Sequence, residues 1–224
     1  MTENKNNWQH AGEVRYWGYS FLALCFYEIP QQEKFQPFYE GNILKQAGDE
    51  NIIHQLADCL EQMKDYTPED WRKMRAEYLR IFPESGPMLV HPWESVYRNR
   101  EHVLFDEHTL AVQDCMHNWG LTLAAEERIP ADHIGLECSF LASLIAKAEK
   151  DLDQEDWAGF RKNYQAQQSF LQEHLQTWAS QFSKDLEKAA ILEFYKVLAV
   201  FLPFWLNYDR ELLTDICGQL SVKS

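Results

Sequence analysis

The stretch ILEFYKVLAVFLPFWL, residues 191–206, is the one that decides the fold class. Ile191, Phe194, Tyr195, Leu198, Phe201, Leu202 and Trp205 recur at helical spacing and wrap much of a helix circumference, as expected of a helix central in a bundle. Pro203 should kink or end it. Upstream, Trp157, Phe160 and Tyr164 mark a helix expected to continue through Leu171, Leu175, Trp178 and Phe182. Leu136, Phe140, Leu141, Leu144, Ile145 and Ala148 mark a strongly apolar one before it. Leu110, Cys115, Met116 and Trp119 give another, closed by Gly120 as a left-handed C-cap. Thr67-Pro68-Glu69-Asp70 is a helix start: a hydroxyl cap, proline in the first turn, then acids facing the positive end of the dipole. The helix it opens carries Trp71, Met74, Tyr78 and Phe82 and should stop at Pro83. Stripes over Glu50–Lys64 (Ile53, Leu56, Leu60, Met63) and through Trp17, Phe21, Leu24 and Cys25, ending before Pro30, complete the pattern.

Composition agrees. The 224 residues are 46% hydrophobic with 8 Trp, 10 Tyr and 13 Phe, enough for a sizeable core. Only 9 Gly and 8 Pro leave little punctuation for an all-β chain. No repeat, low-complexity tract or linker divides it, so the expectation is one all-α helical bundle over residues 1–224. The net charge of −14 repels phosphate backbones and anionic lipid and attracts cationic peptide; it also serves solubility alone. Nucleic acid and stable membrane insertion are therefore not expected. Five scattered cysteines without a Cys-x-x-Cys pair argue against disulfides and zinc knuckles. The polar start, Met1–His10, lacks a secretory signal, and no run reaches the roughly 18 apolar residues of a membrane span. A cytoplasmic location follows as an expectation.

Two segments lack a helical period. Pro83 to about Asp106 is too long for an ordinary connection, and such loops are often functional. Within it, His91-Pro92-Trp93-Glu94-Ser95-Val96-Tyr97 offers two aromatics and a carboxylate for a peptide groove. Trp93 and Tyr97 equally fit a role pinning the loop onto the helices. The shorter loop, Ala124–Ala131, leads to Asp132-His133, with Glu137 a helical turn beyond. Asp132 reads as an N-cap after Pro130 with His133 in the first turn, as a binding element, or, with His133 and Glu137, as part of a metal-dependent hydrolase. Phosphate-cradling loops, nucleophile elbows and His-Glu-x-x-His are absent.

Four blocks in succession resemble the TorD/DmsD family of cytoplasmic chaperones for exported molybdenum enzymes: Glu77-Tyr78-Leu79-Arg80-Ile81-Phe82, Pro92-Trp93-Glu94-Ser95-Val96-Tyr97, Leu104-Phe105, and Pro130-Ala131-Asp132-His133-Ile134-Gly135-Leu136-Glu137. His174-Leu175, Trp178, Phe182 and Phe194-Tyr195 resemble the family's C-terminal pattern. The resemblance implies an all-helical bundle that is not an enzyme and has no resident cofactor. Its implied partner is a molybdoenzyme catalytic subunit, whose twin-arginine leader it holds until the molybdenum cofactor is in place. Weak guanine-nucleotide binding belongs to some members, but no nucleotide loop is present here. The family's leader-binding positions fall on Tyr78, Ile81, Phe82, Trp93, Ser95, Tyr97, Pro130, Asp132 and His133. Glu94 and Asp132 would meet the two guanidinium groups and the aromatics would cover the apolar stretch. Asp106 stands where many members have glycine, and a second proline before Pro92 is missing, departures that would alter leader choice. An accessory subunit that reads no leader is the alternative. A bundle of this kind is expected as a monomer or a helix-swapped dimer.

Overall fold

The computed structural model describes residues 2–39, 44, 48, 50–99, 104–122 and 129–222. Its helices are α1 (Thr2–Tyr27), α2 (Gln32–Phe35), α3 (Asn51–Met63), α4 (Pro68–Ile81), α5 (Glu94–Arg98), α6 (Glu107–Asn118), α7 (Ile134–Asp153), α8 (Trp157–Phe170), α9 (Gln176–Ala189) and α10 (Glu193–Val222). Among the described residues there is no strand, only an isolated antiparallel bridge between Trp93 and His133. The expected loop Ala124–Ala131 lies largely outside the described residues.

Local chemistry accounts for the boundaries. Thr67 accepts from the Asp70 amide at 3.3 Å while its own amide donates to the Asp70 carboxylate at 3.1 Å, a reciprocal capping box. Asp106 accepts from the His108 amide at 2.8 Å and opens α6. Past its end, Gly120 takes the left-handed φ of 74°.

Helix α8 runs into α9 through a π-helical turn, Leu171–Leu175. The helix expected from Trp157 through Phe182 is thus continuous, with one extra residue absorbed mid-way. Pro203, by contrast, neither ends nor divides α10, which continues to Val222. A mid-helix proline costs about 3 kcal/mol or more. Phe201, Leu202, Trp205 and Leu206 around it, and Leu213, Ile216 and Leu220 beyond it, are all buried, and burial of about 1.5–3 kcal/mol per large side chain outweighs that cost.

Buried side chains from Trp8 on α1 to Leu220 on α10 form one apolar cluster. Helices α1 and α7 make the most extensive pair, with α10 against α9, α3 and α8. The α1 crossings depend on two glycines. A Cβ on Gly18 would sit 1.9 Å from the Trp205 ring, and one on Gly135 would come within 2.7 Å of Tyr27 Cβ and 3.1 Å of its backbone nitrogen. The Tyr27 backbone cannot give way as a flexible side chain would. Gly135→Ala is therefore expected to destabilise by about 1–3 kcal/mol; a urea midpoint equal to that of the parent would show that α1 and α7 separate freely.

Candidate functional site

The loop after α4 meets the turn before α7 backbone to backbone. The Glu94 amide donates to the Asp132 carbonyl at 3.0 Å and the Ile134 amide to the Pro92 carbonyl at 2.8 Å. The two blocks separated in sequence are thereby one unit. Asp132 corrects an expectation: it does not cap its own helix. Its carboxylate accepts from the Ser95 amide at 2.8 Å, so it caps the facing helix α5, and from the Thr109 hydroxyl at 2.9 Å, which ties in α6. The cap of α7 is His133, whose Nδ1 accepts from the Gly135 amide at 3.1 Å. Helix α5 was itself unforeseen, because five residues are too few to show a period.

The charged groups are interior. Glu94, Asp132 and Glu137 are each 0% exposed. Glu94 accepts from Arg98 at 2.5 Å and lies 2.8 Å from His174 Nδ1. In this conformation neither Glu94 nor Asp132 reaches a ligand's guanidinium. Burial raises the Glu137 carboxyl well above its ordinary range, and the charges of Glu94 and Asp132 push it further, so it is held neutral. Burial alone depresses His133 to about 3. At His174 burial opposes the charge, but hydrogen bonds to Cys115 and Glu94 and the Glu94 charge outweigh it and raise the imidazole to about 9.

The aromatics join the first block to the others. The Tyr78 hydroxyl donates to the Phe26 carbonyl at 3.1 Å, and Tyr78 packs on Phe82 with centroids 5.3 Å apart. Phe82 stacks on Phe182 at 6.3 Å, and Phe182 meets Tyr97 at 6.4 Å. Tyr97 also stacks on Trp178 at 5.5 Å. Trp93 sets its edge against His133 at 5.8 Å, with Tyr27 on the same imidazole at 5.6 Å. Tyr78, Ile81, Phe82, Ser95, Pro130 and His133 are buried; Trp93 and Tyr97 are half-buried. Glu77, in the first block, fixes the scaffold. It accepts from the Ile191 amide at 2.6 Å while pairing with Arg80, and so holds the turn before α10.

Unmet hydrogen-bonding capacity occurs here, as it does elsewhere in the core at Trp71, Asn163, Ser183 and Tyr195 among others. The Trp93 indole N–H and the Ser95 hydroxyl are buried without a partner, and the neutral Glu137 carboxyl faces the Glu94 carboxylate and the Trp178 indole in the interior. Such groups are rare in folded chains and each calls for a reason. Beside the site, Leu104, Phe105 and Leu110 are exposed, Phe105 with a left-handed φ of 62°, unusual for a bulky residue. Among the described residues no three His, Cys, Asp or Glu side chains are arranged to hold a metal ion, and none of them gives His133 and Glu137 the third ligand a catalytic zinc takes. Thr109, Arg98 and His174 were not among the expected site residues. Only His174 had a signal, its place in the C-terminal pattern.

The site thus lies in a helical scaffold whose aromatic interior is closed by a loop-to-turn bridge. The sequence model for the family described as nitrate reductase delta subunit matches residues 44–184. TorD chaperones of Vibrio atlanticus and Aliivibrio salmonicida are 26% and 24% identical, covering 95% and 88% of this chain and 99% and 92% of theirs. A protein described as the Tat proofreading chaperone DmsD of Haemophilus influenzae is 32% identical over 124 residues, 55% of this chain and 53% of that one. A solved structure described as a candidate redox enzyme maturation protein from Archaeoglobus fulgidus has the same fold, with a TM-score of 0.57, 18% identity, and coverage of 86% of this chain and 93% of that one. The chain belongs to this family, in its TorD/DmsD branch of redox-enzyme maturation chaperones. It is a chaperone and not an enzyme.

Proposed function

We propose that this chaperone acts in the cytoplasm as one domain, holding the twin-arginine leader of a molybdoenzyme client until its cofactor is inserted. The observation that carries the reading is the pair of unpartnered polar groups on Trp93 and Ser95, lying where the loop and the turn are bridged. Groups of that kind gain partners when a peptide inserts or the bridge opens. The half-buried Trp93 and Tyr97 are the direct contacts. Tyr78, Ile81 and Phe82 form the floor beneath them, while Pro130, Asp132, His133, Glu94 and Ser95 hold the loop in register. The apolar stretch of the leader lies against exposed Leu104, Phe105 and Leu110. Its arginines meet the general negative field, with exposed Glu107 and Glu173 near the site.

Trp93→Ala should weaken saturable binding of a twin-arginine leader peptide roughly tenfold or more, as for loss of an aromatic anchor, with the circular dichroism unchanged. Asp132→Ala should weaken it through loss of the α5 cap. Unaltered affinity in both variants would place the leader elsewhere. A pull-down from the host that returns a metalloenzyme without a twin-arginine leader would favour the accessory-subunit reading instead.

A further inference from the structure

A second chemical feature lies behind the loop and shares Glu94 with the proposed leader site. Cys115 on α6 places its sulfur 3.9 Å from Nε2 of His174, and Nδ1 of the same ring is 2.8 Å from the Glu94 carboxylate. Nucleophile, base and orienting acid thus stand in line, the relation that activates catalytic thiols. Three further observations set this cysteine apart. His174 belongs to the π-helical turn, a distortion frequent at functional sites, and that turn aims its ring between Glu94 and Cys115. Phe170 packs on the imidazole at 4.7 Å and Arg98 holds Glu94 from the other side, which fixes the ring. A cleft of about 180 Å³, lined by Cys115, Trp119, Phe140, Ser169, Phe170 and Glu173, opens beside the sulfur.

We propose that Cys115, His174 and Glu94 form a reactive-thiol site that is modified by small soft electrophiles, hydroperoxides in particular. A protonated His174 turns Nε2–H toward the sulfur and Nδ1–H toward Glu94, the ion-pair partner a thiolate nucleophile needs. In the reaction the thiolate attacks the distal oxygen of the hydroperoxide. The S–O bond forms as the O–O bond breaks, and the alkoxide leaves as alcohol with the Nε2 proton of His174. The sulfur is oxidised by two electrons to sulfenic acid and the peroxide is reduced. The cleft accommodates a small reagent. The added oxygen falls against His174, which helps tether α5, so oxidation reaches the loop that carries Trp93 and Tyr97.

The test is site-resolved alkylation of the full chain by iodoacetamide, read by peptide mass spectrometry. The reference is the same thiol in the denatured chain, because burial raises Cys59 to about 11 and raises Cys217 as well, which slows both regardless of His174. At pH 7 Cys115 should label roughly tenfold faster in the folded chain than in denaturant. His174→Gln should bring it down to the denatured rate. The parent is decisive whether or not that variant folds: a folded rate no higher than the denatured one overturns the site. Treatment with cumene hydroperoxide followed by a dimedone probe should mark Cys115 first; marking spread evenly over the three cysteines would sink the proposal.

Discussion

Replacing Asp209 by alanine is expected to lower the unfolding free energy by about 3–5 kcal/mol, the usual consequence of orphaning one member of a buried ion pair. Asp209 on α10 accepts from Arg15 on α1, through Nε and, at 3.3 Å, a terminal nitrogen, and from the Tyr19 hydroxyl at 2.7 Å. Arg15 and Asp209 are both 0% exposed, and the guanidinium lies 5.4 Å from the Tyr164 ring centroid. Burial opposes charge on Arg15, yet the Asp209 carboxylate more than offsets it and holds the group above its ordinary value. Remove the carboxylate and a full positive charge is left in the core with one stacking contact. Against a typical total of about 5–15 kcal/mol, that is a large fraction of the stability. The double variant Arg15→Met/Asp209→Leu should recover most of the loss, since apolar replacements of a whole buried pair are often neutral. Urea denaturation decides: a single variant within about 1 kcal/mol of the parent would mean that water reaches Arg15.

That pair shows where the reading of residues ends. Arg15 and Asp209 are 194 positions apart, and nothing local distinguishes them from the acids and bases that make the surface charge. The long helices were legible because burial on one face is periodic, and the Thr67 capping box because its chemistry spans only three residues. Helix α5 was not, being shorter than two turns. Asp132 looked like an N-cap and is one, but of the helix whose Ser95 amide lies 37 positions upstream. The residue type predicted the bond and only the fold could choose the partner. The same holds for the site. Its blocks were legible as a resemblance, and their mutual bridge and the burial of Glu94 and Asp132 were not. The carboxylates expected to face outward are taken up by amide, hydroxyl and imidazole partners instead.

The buried ionisable groups of this site should also give the protein a divided response to pH. His133 has a folded value near 3 against about 6.5 unfolded. Above pH 6.5 both states hold it neutral, but as pH falls the unfolded chain takes up a proton that the folded chain refuses. Stability therefore drops from pH 6.5 downward, by up to about 5 kcal/mol if the fold survived to pH 3, and by about 2 kcal/mol at pH 5. Glu137 acts with the opposite sign. Its folded value is raised, so its contribution is complete below its ordinary value of 4.5 and is lost as pH rises. His174, raised to about 9, loses its contribution from pH 6.5 to 9. Between pH 4.5 and 6.5 the His133 and Glu137 slopes offset each other, and the parent curve alone conceals both. Comparison with His133→Asn, which keeps a cap acceptor but cannot titrate, isolates the first. The parent should lose about 1.4 kcal/mol more per pH unit than the variant as pH falls from 6 to 4.5, in urea titrations at each pH. Glu137→Gln should shift the balance the other way and steepen the acid-side loss relative to the parent. Parallel curves for the parent and His133→Asn would show that the imidazole is charged in the folded chain, and that the bridge between Trp93 and His133 is open in solution.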